Sequence, residues 1–469
     1  MKAMIEKLQN KPKINSRNSS QAPSRDAPYQ PQSERVKSSK ANGGQKGHQG
    51  RTLEWQAVAD LTIIHSPQGQ CSCGCELSQA RLVEVEKRQV LELPKLKLSI
   101  TEHHCETRVC NCGKEYKGQF PDEAKVKVQY GAGVKGLAIY LMNTQFMSLE
   151  RTTQSFFELF AAHISQGSLS NWQVSAYTKL ADVEGQIATA LIQSQVIHAD
   201  ETGIHVNGKT QWWHSVSTKL LTHYSVSKQR GLVAMKTGGI LETYTGIVIH
   251  DCWSAYFRLI CQHGLCHAHL QRELTRVVQT TKQEWASVLK TLLRVMKRRV
   301  EADLSGFIKL SIDARLALLV EFRALALLVE FRALVQAGLE LNPAELRSTT
   351  TRGAVKQSYA RCLLLRLQKY ETDWLRFLFD ARVPSDNNQA ERDVRMVKRP
   401  KPVRCCFGVK KVREKVSGGS RGDGAVWFAR VRGYISTLRK HKQNVYQALV
   451  KVFTGDLVLP FSLVLNNTS

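Results

Sequence analysis

Val196-Ile197-His198-Ala199-Asp200 and Val248-Ile249-His250-Asp251 decide how this chain is read. Each runs apolar residues through a histidine into an aspartate, the pattern of a buried strand that ends at a turn. One such segment is an ordinary strand end. Two of them acquire chemical meaning because a third acid waits downstream in Asn387-Asn388-Gln389-Ala390-Glu391-Arg392. Carboxylates held within a few ångströms of one another repel unless they protonate or share a cation, and hard divalent metals favour oxygen ligands. Two such ions about 3.5 to 4 Å apart activate an attacking oxygen and stabilise a leaving one in phosphoryl transfer. If Asp200, Asp251 and Glu391 converge, the expected chemistry is metal-dependent attack on a polyphosphate.

Around these segments, residues 195–275 read as alternating strands and helices. The strand candidates are Val196 to Ala199, Gln211 to Ser217, Leu221 to Ser227 and Gly246 to His250, helped by the β-favouring Trp212, Trp213 and Tyr224. Asp200 and Asp251 then fall just past two strand ends, where neighbouring strands of one sheet bring them together. Downstream, Cys266 and His269 are three apart and share a helix face; packing or local hydrogen bonding is the favoured reading, since a zinc site there needs two more ligands. Glu391 belongs to a helix capped by Ser385 and running from Asp386 to Lys398, with Ala390, Val394 and Val397 on a buried stripe and Asn387, Glu391 and Arg395 on the next. On spacing alone, Glu391 in that stripe also fits a surface ion pair.

Composition limits the partners. The chain has 469 residues, 42% of them hydrophobic, enough for several domains with soluble cores. Its most apolar long stretch, Leu316 to Val335, contains Glu321, Arg323, Glu330 and Arg332, which rules out a simple membrane-spanning helix. No secretory signal opens the sequence. With 67 Lys plus Arg against 40 Asp plus Glu, the formal charge is +27, and a polyanion such as nucleic acid is the expected partner.

The twelve cysteines are clustered. Cys71-Ser72-Cys73-Gly74-Cys75 and Cys110-Asn111-Cys112-Gly113 form two sets on either side of a strand-like segment, Arg88 to Glu102. Cys71, Cys73, Cys110 and Cys112 are candidate ligands for tetrahedral structural zinc, with Cys75 or Cys105 as substitutes because one residue, not two, separates each pair.

Six regions follow. Residues 1–50 are a flexible basic leader; 51–120 are a small β-rich module carrying the cysteines; 121–190 are helical, with Leu149 to Phe160 and Ser168 to Leu180 outlining a helix-turn-helix and Ser168 as N-cap. Residues 195–275 alternate strands and helices, 276–375 are a helix-rich block, and 376–469 hold the Glu and C-terminal helices. The helix-rich block contains a tandem repeat, Leu316 to Ala324 and Leu325 to Ala333, read as a lengthened helix or a local bulge.

In their order, these segments resemble the IS66 family of bacterial transposases, of the type with an Asp, Asp and Glu active site. The resemblance rests on His198-Ala199-Asp200-Glu201-Thr202-Gly203 with Trp213-His214-Ser215, on His250-Asp251-Cys252-Trp253-Ser254-Ala255-Tyr256, on Leu265-Cys266-His267-Ala268-His269-Leu270 with Arg272-Glu273-Leu274, on Asp386-Asn387-Asn388-Gln389-Ala390-Glu391-Arg392, and on Gly433-Tyr434-Ile435-Ser436-Thr437. In the leader it extends to Asn18-Ser19-Ser20, Pro23-Ser24 and Gly43-Gly44-Gln45-Lys46-Gly47-His48.

The resemblance implies an α+β multidomain chain with a ribonuclease-H-like α/β catalytic core, interrupted by a helical insertion and preceded by a small zinc-binding β module and a helical DNA-binding region. Asp200, Asp251 and Glu391 would hold Mg²⁺ or Mn²⁺, and structural Zn²⁺ would sit on the cysteines. The implied reaction is cleavage of DNA at the ends of a transposable element and strand transfer into target DNA. Arg392, Arg395, Lys398 and Arg399 would hold backbone phosphates. Trp253 and Tyr256 are candidates for stacking on a base, with core packing favoured for both. The family also implies a homo-oligomer in the synaptic complex, companion proteins encoded by the same element, and action at the bacterial nucleoid in the cytoplasm. Two departures stand out: the tandem repeat, and Arg399 to Glu414, which is longer than the family's path. A chain altered in this way has two alternative functions, a DNA-binding repressor or inactive subunit, and a nuclease without strand transfer.

Overall fold

The computed structural model describes Asn15, Asn18 and residues 53–124, 126–206, 209–306, 323–346, 355–398 and 424–457. The chain divides into two units, Pro28–Ser99 and Met1–Ala27 with Ile100–Ser469.

In the smaller unit, most described residues are exposed and without regular structure, apart from a single 3-10 turn at Leu77–Gln79. Gln56 and Gln89 hold one another, the Gln56 amide donating to the Gln89 side chain and Gln89 Nε2 donating back to the Gln56 carbonyl, each at 2.9 Å. The strand expected over Arg88 to Glu102 is not formed. A strand requires a neighbour's amides and carbonyls, and no described residue pairs with this stretch. Its apolar side chains, Val90, Leu93 and Ile100, stand in solvent at 89%, 77% and 93% exposure, with no second face to bury against. Regular strand in the cysteine-bearing region is confined to a hairpin in the larger unit, β1 (Thr107–Val109) and β2 (Glu115–Lys117).

The larger unit continues with four helices, α1 (Ala132–Thr144), α2 (Leu149–Phe160), α3 (Gln166–Lys179) and α4 (Ala181–Gln193). The bounds of α2 match the sequence expectation because both signals are local. Ser148 accepts the Arg151 amide at the start, and Ala161 turns left-handed at φ 53° at the end. The N-cap of α3 is Ser165, not Ser168. Ser165 has the extended backbone a cap needs, and its hydroxyl accepts the Ser168 amide at 3.0 Å. Of two serines three apart, the first is the cap and the second supplies the capped N–H.

A five-stranded sheet follows: β3 (Val196–Val206), β4 (Lys209–Ser217), β5 (Thr222–Ser227), β6 (Ile247–His250) and β7 (Gln262–Leu265), with short helices α5 (Leu232–Thr237) and α6 (Ile240–Thr243) between β5 and β6. The spatial order is β5-β4-β3-β6-β7. β3, β4 and β5 pair antiparallel, whereas β6 runs parallel to β3 and β7 parallel to β6. Beyond the sheet come α7 (His267–Thr281), α8 (Glu284–Gly306), α9 (Arg323–Leu341), α10 (Tyr359–Lys369) and α11 (Glu371–Phe379). Then α12 (Asn388–Lys398), α13 (Gly424–Lys440) and α14 (Val445–Thr454) close the described fold.

Strand alternation assigns the two sheet faces to different cores. Ile197, Ala199 and Val248 pack with α1, α3, α4, α13 and α14. Ile247, Ile249 and Leu265 pack with α7 to α11. A third cluster joins Ile204, Val206 and Trp213 to Val394 of α12 and Phe428 of α13. Each fully buried side chain of this size stabilises the fold by about 1.5–3 kcal/mol relative to exposure. The second copy of the tandem repeat lies within α9, where Leu327 and Phe331, four apart, are buried while Leu325 and Val329 face solvent. Leu316 to Phe322 of the first copy lie outside the described residues.

Gly136 marks the contact between α1 and α14. A Cβ added there would lie 2.8 Å from Val450 Cγ2 and 2.9 Å from the Val450 amide nitrogen. Backbone cannot yield as a flexible side chain does, so Gly136→Ala should destabilise the protein by about 1–3 kcal/mol, read as a lowered thermal midpoint. An unchanged midpoint would show that these helices separate freely.

Two histidines, His214 buried and His223 half-buried, give the fold a pH dependence. Burial, followed by the nearby Arg230 charge, lowers His214 to about 4; burial, followed by Arg430, lowers His223 to about 4. Glu184 lies 3.7 Å from His223, but Arg430 holds that carboxylate at 2.6 Å and leaves the imidazole neutral. The unfolded chain therefore takes up protons below the ordinary value of about 6.5, whereas the fold resists until about 4. The stability due to this difference is present above pH 6.5 and is lost as the pH falls toward 4. Thermal midpoints should be lower at pH 5 than at pH 7, with a smaller difference in His214→Gln or His223→Gln.

Candidate active site

Asp200 is interior to β3, not beyond its end as the sequence suggested. The two edges of β3 differ. Parallel pairing with β6 stops at His198↔Ile249, while antiparallel pairing with β4 persists to Val206↔Lys209 and includes Asp200↔Ser215. The apolar pattern registers only the first of these limits. Asp251 does lie just past its strand, directly after His250 of β6. His198 and Ile249 are register partners, and Asp200 and Asp251 each stand two residues beyond that pair, Asp200 within β3 and Asp251 in the turn after β6.

The loop after Asp251 is shaped by local bonds. Asp251 Oδ1 accepts the Trp253 amide at 3.1 Å, and His250 Nδ1 accepts the Cys252 amide at 3.2 Å. Cys252 is left-handed at φ 69°, a strained conformation of the kind that clusters at functional sites.

Glu391 lies in the first turn of α12. That helix starts later than the proposed Ser385 cap: the Asp386 carboxylate accepts the Asn388 amide at 3.2 Å, and the Asn387 carbonyl accepts the Glu391 amide at 3.1 Å. Ala390 and Val394 are buried as expected. Glu391 faces α7, with its Oε1 3.6 Å from His269 Nδ1 and its Oε2 3.9 Å from Arg272. Neither Oε1 nor His269 Nδ1 has a hydrogen-bond partner, although both are buried. Burial lowers the His269 pKa, and the Asp251 and Glu391 charges pull it the other way. Cys266 is buried and accepts the Asn387 amide, in keeping with the packing or local hydrogen bonding favoured from sequence, and His269 lies beside Glu391.

Asn387 holds α12 against β3. Its Oδ1 lies 2.9 Å from His198 Nδ1, its Nδ2 donates to the Ala199 carbonyl at 2.8 Å, and its amide donates to Cys266 Sγ at 3.1 Å. These contacts fix the start of the helix bearing Glu391 to the residue before Asp200.

A fourth carboxylate, Glu201, was not singled out from the sequence. Its side chain is buried, accepts the Tyr256 hydroxyl at 2.8 Å and pairs with Arg230 at 3.0 Å. Burial, then the Asp251 charge, raises its pKa. Tyr256 is 1% exposed, so it packs in the core as favoured; burial, then the Glu201, Asp251 and Asp200 charges, push its phenol well up. The Arg230 guanidinium sits between two indoles, 4.5 Å from the Trp212 ring and 4.0 Å from the Trp253 ring. The adjacent acids Asp200-Glu201 were the available signal for Glu201. Arg230 gave none, because its ring partners come from distant segments.

Of the candidate phosphate contacts, Arg392 and Arg395 are exposed on α12. The Lys398 side chain and all of Arg399 lie outside the described residues, as do Arg399 to Glu414. The two cysteine turns have the same backbone pattern. The Cys71 amide donates to the Cys75 carbonyl at 2.9 Å, and the Gly74 amide to the Cys71 carbonyl at 2.8 Å; the Cys110 amide donates to the Lys114 carbonyl, and the Gly113 amide to the Cys110 carbonyl, each at 2.8 Å. Gly74 and Gly113 take φ of 86° and 82°, which glycine adopts without strain. Hydrogen bonds from Cys73 and from Cys112 lower the Cys71 and Cys110 thiols. Cys71, Cys73 and Cys75 belong to the smaller unit, Cys105, Cys110 and Cys112 to the larger.

Membership of a family of DNA-transposing enzymes is shown by comparison with known sequences. The profile of the Transposase IS66 family matches residues 127–412, and the chain belongs to that family. A family of unknown function matches residues 1–54. No curated protein matches the chain. Among the described residues, no helix is long and apolar enough to cross a membrane.

Proposed function

We propose that this chain cuts DNA at the ends of a transposable element and joins those ends to target DNA, using Asp200, Asp251 and Glu391. The observation that supports this reading is that the pairing of β3 with β6 ends two residues short of both Asp200 and Asp251, while Asn387 ties the start of the helix bearing Glu391 to the Ala199 carbonyl beside Asp200. The strand order, three antiparallel strands followed by two parallel ones, supports a ribonuclease-H-like core.

The three carboxylates suit hard divalent ions, and Glu391 Oε1 is a buried oxygen without a hydrogen-bond partner. Mg²⁺ or Mn²⁺ held there would supply Lewis-acid activation of the attacking oxygen and charge neutralisation at the leaving one. In the first step, water attacks phosphorus and a 3′-hydroxyl leaves; in the second, that hydroxyl attacks a target phosphodiester and another 3′-oxygen leaves. Asp200 is held within β3, Asp251 by the turn after β6 and Glu391 by the Asn387 contacts, which supports a site organised before DNA arrives. Arg392, Arg395, Lys398 and Arg399 are proposed to bind backbone phosphates. Each cysteine turn is proposed as a zinc knuckle, Cys71 and Cys73 in one and Cys110 and Cys112 in the other. Together with residues 121–190, they would recognise the element's terminal repeats. Assembly as a homo-oligomer on paired ends, help from companion proteins and action at the bacterial nucleoid complete the proposal.

The test is to incubate the full chain with Mg²⁺, labelled element ends and a target plasmid. Joined products support transposition. Cuts without joining reduce the protein to a nuclease, and binding with no metal-dependent product leaves a DNA-binding repressor.

A further inference from the structure

We propose that Cys266, His269 and Glu391 form a site for a thiophilic divalent ion, zinc foremost, whose occupancy withdraws Glu391 from Mg²⁺ and stops the reaction. The inhibitory half rests on the reading of Glu391 as a catalytic ligand; the metal site itself does not.

The three ligand atoms, one sulfur, one nitrogen and one carboxylate oxygen, all lie within 4.8 Å of one another. They come from two elements already fastened together: Cys266 precedes α7, His269 is in its first turn, Glu391 is in the first turn of α12, and the Asn387 amide donates to Cys266 Sγ. Buried polar atoms are paired as a rule. Here His269 Nδ1 and Glu391 Oε1 face one another at 3.6 Å, and neither has a hydrogen-bond partner, which points to a third group between them.

The donor set selects the ion. Mg²⁺ takes oxygen ligands and has little use for a thiol, whereas zinc accepts sulfur, nitrogen and oxygen together in tetrahedral geometry. With Zn–S about 2.3 Å and Zn–N about 2.0 Å, tetrahedral donors stand roughly 3.3 to 3.6 Å apart. The His269–Glu391 pair already has that spacing, and Cys266 has to close by about an ångström from the outer limit of the cluster. Binding displaces the Cys266 thiol proton to solvent, and no redox change occurs. His269 and Glu391 side chains are 14% and 16% exposed, which gives the ion its approach, while Cys266 is wholly buried behind them.

The test uses the full-length chain and zinc itself. Equilibrium dialysis should find one zinc fewer per chain in Cys266→Ser and in His269→Gln than in the wild type, with both variants folded by circular dichroism. His269→Gln decides the matter if Cys266→Ser does not fold. In Mg²⁺-dependent cleavage, the zinc concentration that halves the rate, taken against each protein's own zinc-free rate, should rise at least tenfold in the variants. Equal zinc content in all three proteins overturns the site, and a lost zinc with unchanged inhibition overturns the regulatory role. If no protein cuts DNA with Mg²⁺, the transposase reading fails, and the zinc count still decides whether the site exists.

Discussion

Asp251→Asn is expected to abolish metal-dependent DNA cleavage and strand transfer while leaving the fold intact. The substitution separates charge from shape. Asp251 Oδ1 accepts the Trp253 amide, and the amide oxygen of Asn accepts the same bond, so the turn after β6, with its left-handed Cys252, is preserved. What disappears is one negative charge and one hard oxygen ligand. Losing a partner behind the metal ligands costs about 10- to 100-fold in metal affinity or activity, so losing a ligand itself should cost more than about a hundredfold. Removing the charge should also ease ionisation of Glu201, whose pKa Asp251 helps to raise. The measurement is the yield of cut and joined products at saturating Mg²⁺, with DNA binding followed separately. Retained binding with product below a hundredth of wild type is the expected result. Joined products at a tenth of the wild-type yield or more would remove Asp251 from the proposed ligand set.

How far the site was legible from sequence depends on the range of the interactions that build it. The bounds of α2 and the end of β6 were visible because a cap, an αL residue or an apolar run lies within a few positions of each limit. The sequence shows only the first four of the eleven residues of β3, since the rest is held by antiparallel pairing to β4 and carries Gly203 and His205. β7 was missed for a related reason: Gln262-His263-Gly264-Leu265 has little strand character alone and forms by parallel pairing with β6. Arg88 to Glu102 shows the reverse error, where alternation was present and a partner strand was not. Asp200, Asp251 and Glu391 are proposed from residue type and flanking pattern. The contacts that arrange them join segments more than a hundred residues apart, such as Asn387 with His198 and Ala199, and no local rule reports those. Cys266 and His269 were seen as a helix-face pair, but their third neighbour Glu391 comes from another helix.

Asn387→Ala should lower both stability and catalysis, and the balance between the two losses tests what Asn387 does. The carbonyl of Ala199 is an acceptor only, so the Asn387 amide nitrogen must face it, which leaves Oδ1 for His198. His198 therefore carries its proton on Nδ1, and burial keeps the ring neutral by lowering its pKa. Asn387 is 1% exposed, so its removal strands His198 Nδ1–H and the Ala199 carbonyl away from solvent. A buried group left unpaired costs about 1–3 kcal/mol, and the pair together should cost roughly 2–4 kcal/mol, read as a thermal midpoint several degrees lower. Asn387→Asp should be at least as damaging, because a carboxylate accepts from His198 but repels the Ala199 carbonyl. The amide bond to Cys266 Sγ survives either change, so α12 keeps one anchor while losing its tie to the residue before Asp200. Glu391, one turn further along, should then be placed less well against Asp200, and cleavage at a temperature where the variant remains folded should fall about tenfold or more, as for partners that orient metal ligands. Raising Mg²⁺ should recover part of that loss, because a poorly placed ligand weakens metal binding before it alters chemistry. A variant that is less stable yet cuts at the wild-type rate would confine Asn387 to holding the fold and would detach the position of Glu391 from β3.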